Sequence, residues 1–176
     1  MRDFLAFALV FSSMLALAGC GDGSKARRGS EPRLLLKIGE VQSSVSDNGE
    51  HSLQNLIAPL TDSNAFFETA KPFPLSFTFL VSPAETEGVR TYALITGNHG
   101  NDSILRMPRT WVFYGSSDGA NWTVLDRQDD PRPWKPAEER QYRLPSMARY
   151  KQFRIEFTRG GAEPVLRIYG IRFYAD

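Results

Sequence analysis

The chain has 176 residues, 41% hydrophobic and 23% charged, with a formal net charge of +1 at pH 7. That composition suits one soluble globular domain plus a targeting segment. Basic residues are scattered among acids and apolar runs, so no nucleic-acid footprint is present.

In chain order, the targeting segment comes first. Arg2 gives a short charged start, offset by Asp3, and residues 4–17 are apolar apart from Ser12 and Ser13. The run is short for a membrane span and ends in small residues, as a cleaved signal does. It closes in Leu17-Ala18-Gly19-Cys20, which resembles the lipobox of bacterial lipoproteins. The resemblance implies that residues 1–19 are a lipoprotein signal peptide. It also implies that Cys20 becomes the first mature residue, carries the lipid (palmitate among its acyl chains) and holds the protein at a membrane. The alternative is an ordinary secretory signal with an incidental Cys. Cys20 directly follows the apolar run and is the only Cys in the chain, which favours lipidation. Gly21 after the Cys favours the outer membrane over the inner by that family's sorting rule; Asp22 pulls the other way. With Cys20 lipidated, no thiol is left for a disulfide or a thiolate metal site. Residues 20–32 lack large apolar side chains and read as a flexible tether. Arg27-Arg28 within it reads as solvated linker.

The domain begins near residue 33. Leu34, Leu36 and Ile38 alternate with Arg33, Leu35 and Lys37, which predicts a strand ending near Val41. Asp47-Asn48-Gly49 predicts a turn, residues 53–60 one short helical turn stopped by Pro59, and residues 61–64 another turn. Leu75, Phe77, Phe79 and Val81 alternate with Ser76, Thr78 and Leu80, a strand bounded by Pro74 and Pro83. Residues 89–96 form the next strand, and residues 97–108 a long polar loop. Residues 111–125 read as strand, turn, strand, with Asp118-Gly119 in the turn and Trp111, Phe113 and Trp122 in the core. Residues 126–139 form a second long loop, with Trp134 among Pro131, Pro133 and Pro136. Residues 142–144, 153–157 and 165–174 give further strands. The last has an alternation slip at Gly170, read as a bulge. No window holds three helical turns of apolar periodicity. About eight short strands with Pro/Gly connections predict an all-β fold, an antiparallel β-sandwich with its ends close together.

Trp111-x-x-Tyr114-Gly115-Ser116-x-Asp118-Gly119-x-x-Trp122-Thr123-x-Leu125-Asp126 resembles the signature hairpin of discoidin-like domains, the coagulation factor 5/8 type C family. The likeness extends to residues 92–98, Arg106-x-Pro108-Arg109-x-Trp111, residues 150–157 and residues 168–174. Residues 55–57 with residues 62–64 and 67–69 resemble the family's early loop less closely. The resemblance spans residues 33–176. It implies an eight-stranded jelly roll of the galactose-binding-like type, with ligands held by loops at one end. Family ligands include sugars, anionic phospholipids and proteins, so fold does not settle function. Gly170 stands where many members have a calcium-ligating Glu, and Ala58-Pro59 where many have Asp-Gly. Asp62 with backbone carbonyls remains the candidate metal ligand for a structural calcium.

Gly115-Ser116-Ser117-Asp118-Gly119 fits a nucleophile pattern that requires strand, sharp turn, helix. A strand follows instead, and both histidines, His51 and His99, precede the serine. His51 and His99 have no metal-ligand spacing, and Asp129-Asp130 and Glu138-Glu139 carry no acid–base assignment. The domain is therefore read as non-enzymatic. A sugar needs an aromatic face for its C–H groups and planar polar groups for its hydroxyls. Trp134, Asn98, His99, Asp102, Arg106 and Arg109 supply both types in the two long loops. The competing readings are a packed loop anchor for Trp134 and an ion pair for Arg106 or Arg109. In the resembling family, the Asn98 and Arg106 positions often stabilise this loop. The sequence thus predicts a lipid-anchored module of the bacterial cell envelope that binds carbohydrate. The alternative is an envelope protein–protein interaction or scaffolding domain.

Overall fold

In a computed structural model, the residues described are 35–45, 51–58, 65–98 and 100–175. The alternation of Leu75, Phe77 and Phe79 buries one face of β3 (Leu75–Val81). The same period in Phe153, Ile155 and Phe157 buries one face of β8 (Gln152–Arg159). These strands pair antiparallel at the centre of a five-stranded sheet. Flanking them are β1 (Ile38–Ser43) on one side and the hairpin β5 (Thr110–Ser116) with β6 (Thr123–Asp129) on the other. The facing sheet has β4 (Val89–Ile95) between β7 (Glu139–Ala148) and β10 (Gly170–Tyr174). A two-stranded sheet joins β2 (Phe67–Thr69) to β9 (Leu166–Ile168). A 3-10 turn occupies Leu53–Leu56, where one helical turn was expected, and a single α-helical turn, α1, spans Asp102–Leu105.

The core lies between the two larger sheets and is mostly aromatic. Phe79 meets Phe173 with ring centroids 5.0 Å apart, Tyr92 meets Phe113 at 4.5 Å, and Trp111 meets Tyr142 edge-on at 5.1 Å. The hydroxyl of Tyr92 accepts from Trp111 Nε1 and donates to Asp126, so the polar atoms of these two rings are satisfied. Burial, then the Asp126 carboxylate, pushes the Tyr92 hydroxyl well above its ordinary pKa.

The antiparallel β-sandwich is as expected, but four expectations change. Trp122 is not core: it precedes β6, is half-buried, donates from Nε1 to Gly119 O, and lies 3.7 Å under the Arg154 guanidinium. Residues 126–129 extend β6, so the second long loop is only residues 130–138. The short strand near Tyr142 is a ten-residue edge strand. The slip at Gly170 is a change of sheet, since β9 pairs with β2 whereas β10 pairs with β4. Switching sheets reverses which parity faces the core, which reproduces the broken alternation without an inserted residue.

Register sorts the connections into two ends. Gly115 faces Thr123 and Leu80 faces Gln152 at the turn end, where Leu35 also pairs with Tyr174. The described start and end of the domain therefore lie side by side. Thr110 faces both Asp129 and Arg159 at the other end, which holds α1 and residues 130–138. The serine of the nucleophile-like pattern, Ser117, sits in an exposed turn between two strands. Ser116 Oγ and Asp118 Oδ1 accept the backbone N–H groups of Gly119 and Asn121 there.

Candidate functional site

The loop end is built from two ion-pair systems. In the first, Arg106 follows α1 and binds three carboxylates. Its Nε donates to Glu163 at 2.6 Å, Nη1 to Glu68 at 2.9 Å, and Nη2 lies 3.1 Å from Asp102. Arg167 also donates to Glu68 and stacks 4.3 Å over Phe66, which in turn stacks on His51 at 4.1 Å. Burial works to raise the Glu68 carboxyl. The hydrogen bonds from Arg167 and Arg106 outweigh it, so the net shift is downward. Backbone bonds from Arg167 N to Arg106 O and from Ala162 N to Leu105 O pin α1 onto β9. Gly161 is required for that approach, since a Cβ there would stand 2.0 Å from Leu105 O.

The second system holds the Pro-rich loop. Asp130 is buried at 3% exposure and accepts from Arg132, from Tyr142 at 2.9 Å and from Arg140 at 3.2 Å. These bonds, Arg132's foremost, hold its carboxyl far below the usual range. Arg140 donates to Pro133 O and Glu138 and lies 3.9 Å over the Trp134 ring. Trp134 Nε1 donates to Pro108 O at 3.0 Å, and Arg109 Nη1 donates to Pro131 O at 2.7 Å. Each bond crosses between the two long loops, as does Ala137 N to Gly97 O. Ala137 has φ 51°, the one positive φ outside glycine among the described residues. Strain of this kind persists where surrounding contacts enforce it.

Trp134 is therefore not an open ligand platform. At 4% exposure it is a loop anchor, with Arg140 against its ring and its N–H spent on Pro108. Arg106 and Arg109 are tied down as framework. Asp102 is half-buried beside Arg106, Asn98 is exposed, and His99 lies outside the described residues. Sequence reasoning missed Glu68, Glu163, Arg167, Asp130 and Arg140, the groups that lock the loops. Only the alternation of Arg140 and Tyr142 hinted at side chains turned inward.

Cys20 and Asp62 also lie outside the described residues. In the described part of the early loop, Arg172, buried on β10, donates to Leu56 O at 3.2 Å and to Ala58 O, so a guanidinium already occupies two carbonyls that a calcium ion would use. Among the described residues, no three carboxylate, His or Cys side chains gather for a metal. Calcium prefers six to eight oxygens.

No family model matches the chain, and no curated protein matches it. Solved structures do. The family 32 carbohydrate-binding module of Clostridium perfringens NanJ, solved with galactose, superposes with a TM-score of 0.62 at 13% identity, over 81% of this chain and 99% of that one. The family 32 module of Streptococcus pneumoniae EndoD gives 0.64 at 12% identity, over 80% and 98%. The AlyQ module, solved with 4,5-unsaturated mannuronic acid, gives 0.60 at 13% identity, over 80% and 97%. The chain spans 33% of the length of a truncated AlyQ that also carries an alginate lyase domain. At these identities the likeness establishes the fold alone: this chain has the antiparallel β-sandwich of those modules.

Proposed function

We propose that the domain is a non-catalytic carbohydrate-binding module, anchored through lipid on Cys20 to the bacterial envelope, with the outer membrane favoured. The observation that carries this reading is the loop end. Two loops locked by ion pairs hold a polar rim of Asn98, Asn101 and Asp102 on a sandwich like those of sugar-bound modules. Amides and a carboxylate carried on loops that ion pairs hold in place suit sugar hydroxyls. The test is a glycan array probed with the full chain. Retention of a defined glycan, lost in Asn98→Ala/Asn101→Ala, supports the reading, and silence across all sugars contradicts it. Lipidation has its own test: Cys20→Ser abolishes acyl labelling and membrane partition.

Burial of Trp134 favours a second reading, an envelope interaction or scaffolding domain, because that loop offers no open aromatic face. Co-purification of one stoichiometric protein partner, alongside a silent array, supports it.

A further inference from the structure

Hollows of about 580 Å³ and 420 Å³ lie at the turn end, but their charged groups already answer one another. Glu87 faces Arg149 at 3.9 Å, and Glu85 accepts backbone N–H groups from Lys37 and Thr86. The loop end carries more, through one buried tyrosine.

Tyr169 is the single residue between β9 and β10, where the chain passes from one sheet to the other. Its backbone N–H donates to Ile95 O at 3.1 Å, which fixes it to the end of β4. Its side chain is 2% exposed and reaches under the loop that leaves β4. The ring fills the space beside Gly97, where a Cβ would stand 2.1 Å from it. Positive φ belongs to Gly100 and Gly119, not to Gly97, so the glycine at 97 makes room for the ring. The Tyr169 hydroxyl lies 3.0 Å from Ser103 Oγ on α1, and this hydrogen bond is buried. Phe66 packs on the ring at 5.2 Å.

One side chain thus holds both ends of the segment between Gly97 and Ser103. Gly97 directly precedes Asn98, and Ser103 directly follows Asn101-Asp102. Asn98 and Asn101 are exposed. Asn101 caps α1 through its carbonyl, which accepts from Ile104 and Leu105, and its side chain makes no cap bond. Two amides pair with sugar hydroxyls only where their separation matches that of the hydroxyls.

We propose that Tyr169 is a positioning residue for carbohydrate: its ring at Gly97 and its hydroxyl on Ser103 set the spacing of Asn98 and Asn101, and with it the hydroxyl pattern that the rim accepts. The inference rests on the carbohydrate-binding reading. Tyr169 is buried, so it acts through the loop and not by touching the sugar.

The experiment compares the full-length protein with Tyr169→Phe, which keeps the ring and removes the hydroxyl, and with Ser103→Ala, which removes the other partner. The side-chain amide signals of Asn98 and Asn101 are read first without sugar. Retention on the glycan array is then compared, and affinity for each retained glycan is titrated. Both variants should move the two amide signals, bind the preferred glycan about tenfold more weakly and narrow the preference among glycans. Combined, they should lose less than the product of their separate losses, because they break the same bond. Unmoved amide signals overturn the proposal, and so do moved signals with unchanged affinities or a loss of urea stability alone. A wild-type protein silent across the array also overturns it, through the carbohydrate reading, and the sugar-free signals separate that failure from a fault in the positioning geometry. Near-UV circular dichroism from Trp111 checks that each variant is folded.

Discussion

At Asp130 and Glu68, carboxylates are held ionised by guanidiniums, and this gives the domain an acid limit. Both folded pKa values lie below their unfolded values. The stabilisation is full above the ordinary carboxylate values of 3.8 and 4.5 and is lost as pH falls through the depressed folded values. Urea denaturation from pH 6 to pH 3 should therefore show stability declining as pH falls. The decline should be shallower in Asp130→Asn, which starts less stable because Arg132, Tyr142 and Arg140 lose a charged acceptor while Arg140 keeps Glu138. Trp134→Ala removes a buried indole, so it should cost about 3–5 kcal/mol in the same assay. A stable Trp134→Ala protein that had lost only glycan retention would restore the open-platform reading. Trp134 sits among prolines and charges, so its local sequence reads as an exposed loop. What buries it is Arg140, six residues on, and Pro108, twenty-six residues back. Neither contact leaves a periodic trace.

Among the elements, strands were legible wherever one face was buried with period two, as in β3 and β8. They were misread where partner sheets change, as between β9 and β10, because alternation reports a face and not which sheet owns it. Edge strands β6 and β7 expose residues such as Val124, at 42%, which masked their true lengths. The early loop shows how a long-range side chain can replace a local motif. Arg172 lies 116 residues from Leu56, whose carbonyl it satisfies. A chelator should accordingly leave the thermal midpoint unchanged, while Arg172→Ala should cost about 1–3 kcal/mol for each carbonyl left unpaired. A chelator-induced fall in the midpoint would mean that a metal holds this loop instead. In the second long loop, Ala137→Gly should stabilise the domain by about 1 kcal/mol, since glycine accepts positive φ without a Cβ clash. Chemical denaturation reads that change directly.

For the whole molecule, the sandwich gathers framework charges at one end and open hollows at the other. The fold was legible because its signature hairpin places Trp111 and Phe113 in the core. The candidate site was legible only as a pair of loops. Their side chains divide into framework (Arg106, Arg109, Trp134) and rim (Asn98, Asp102), and that division depends on partners distant in sequence. The described part of the domain begins at the turn end, where Leu35 pairs with Tyr174. The decisive measurement is amide-shift mapping of the full chain with the glycan retained on the array. Loop-end carbohydrate binding predicts perturbations clustered at residues 97–106 and 130–138. Shifts confined to residues 82–87 and 149–151, or none with any retained glycan, would contradict it.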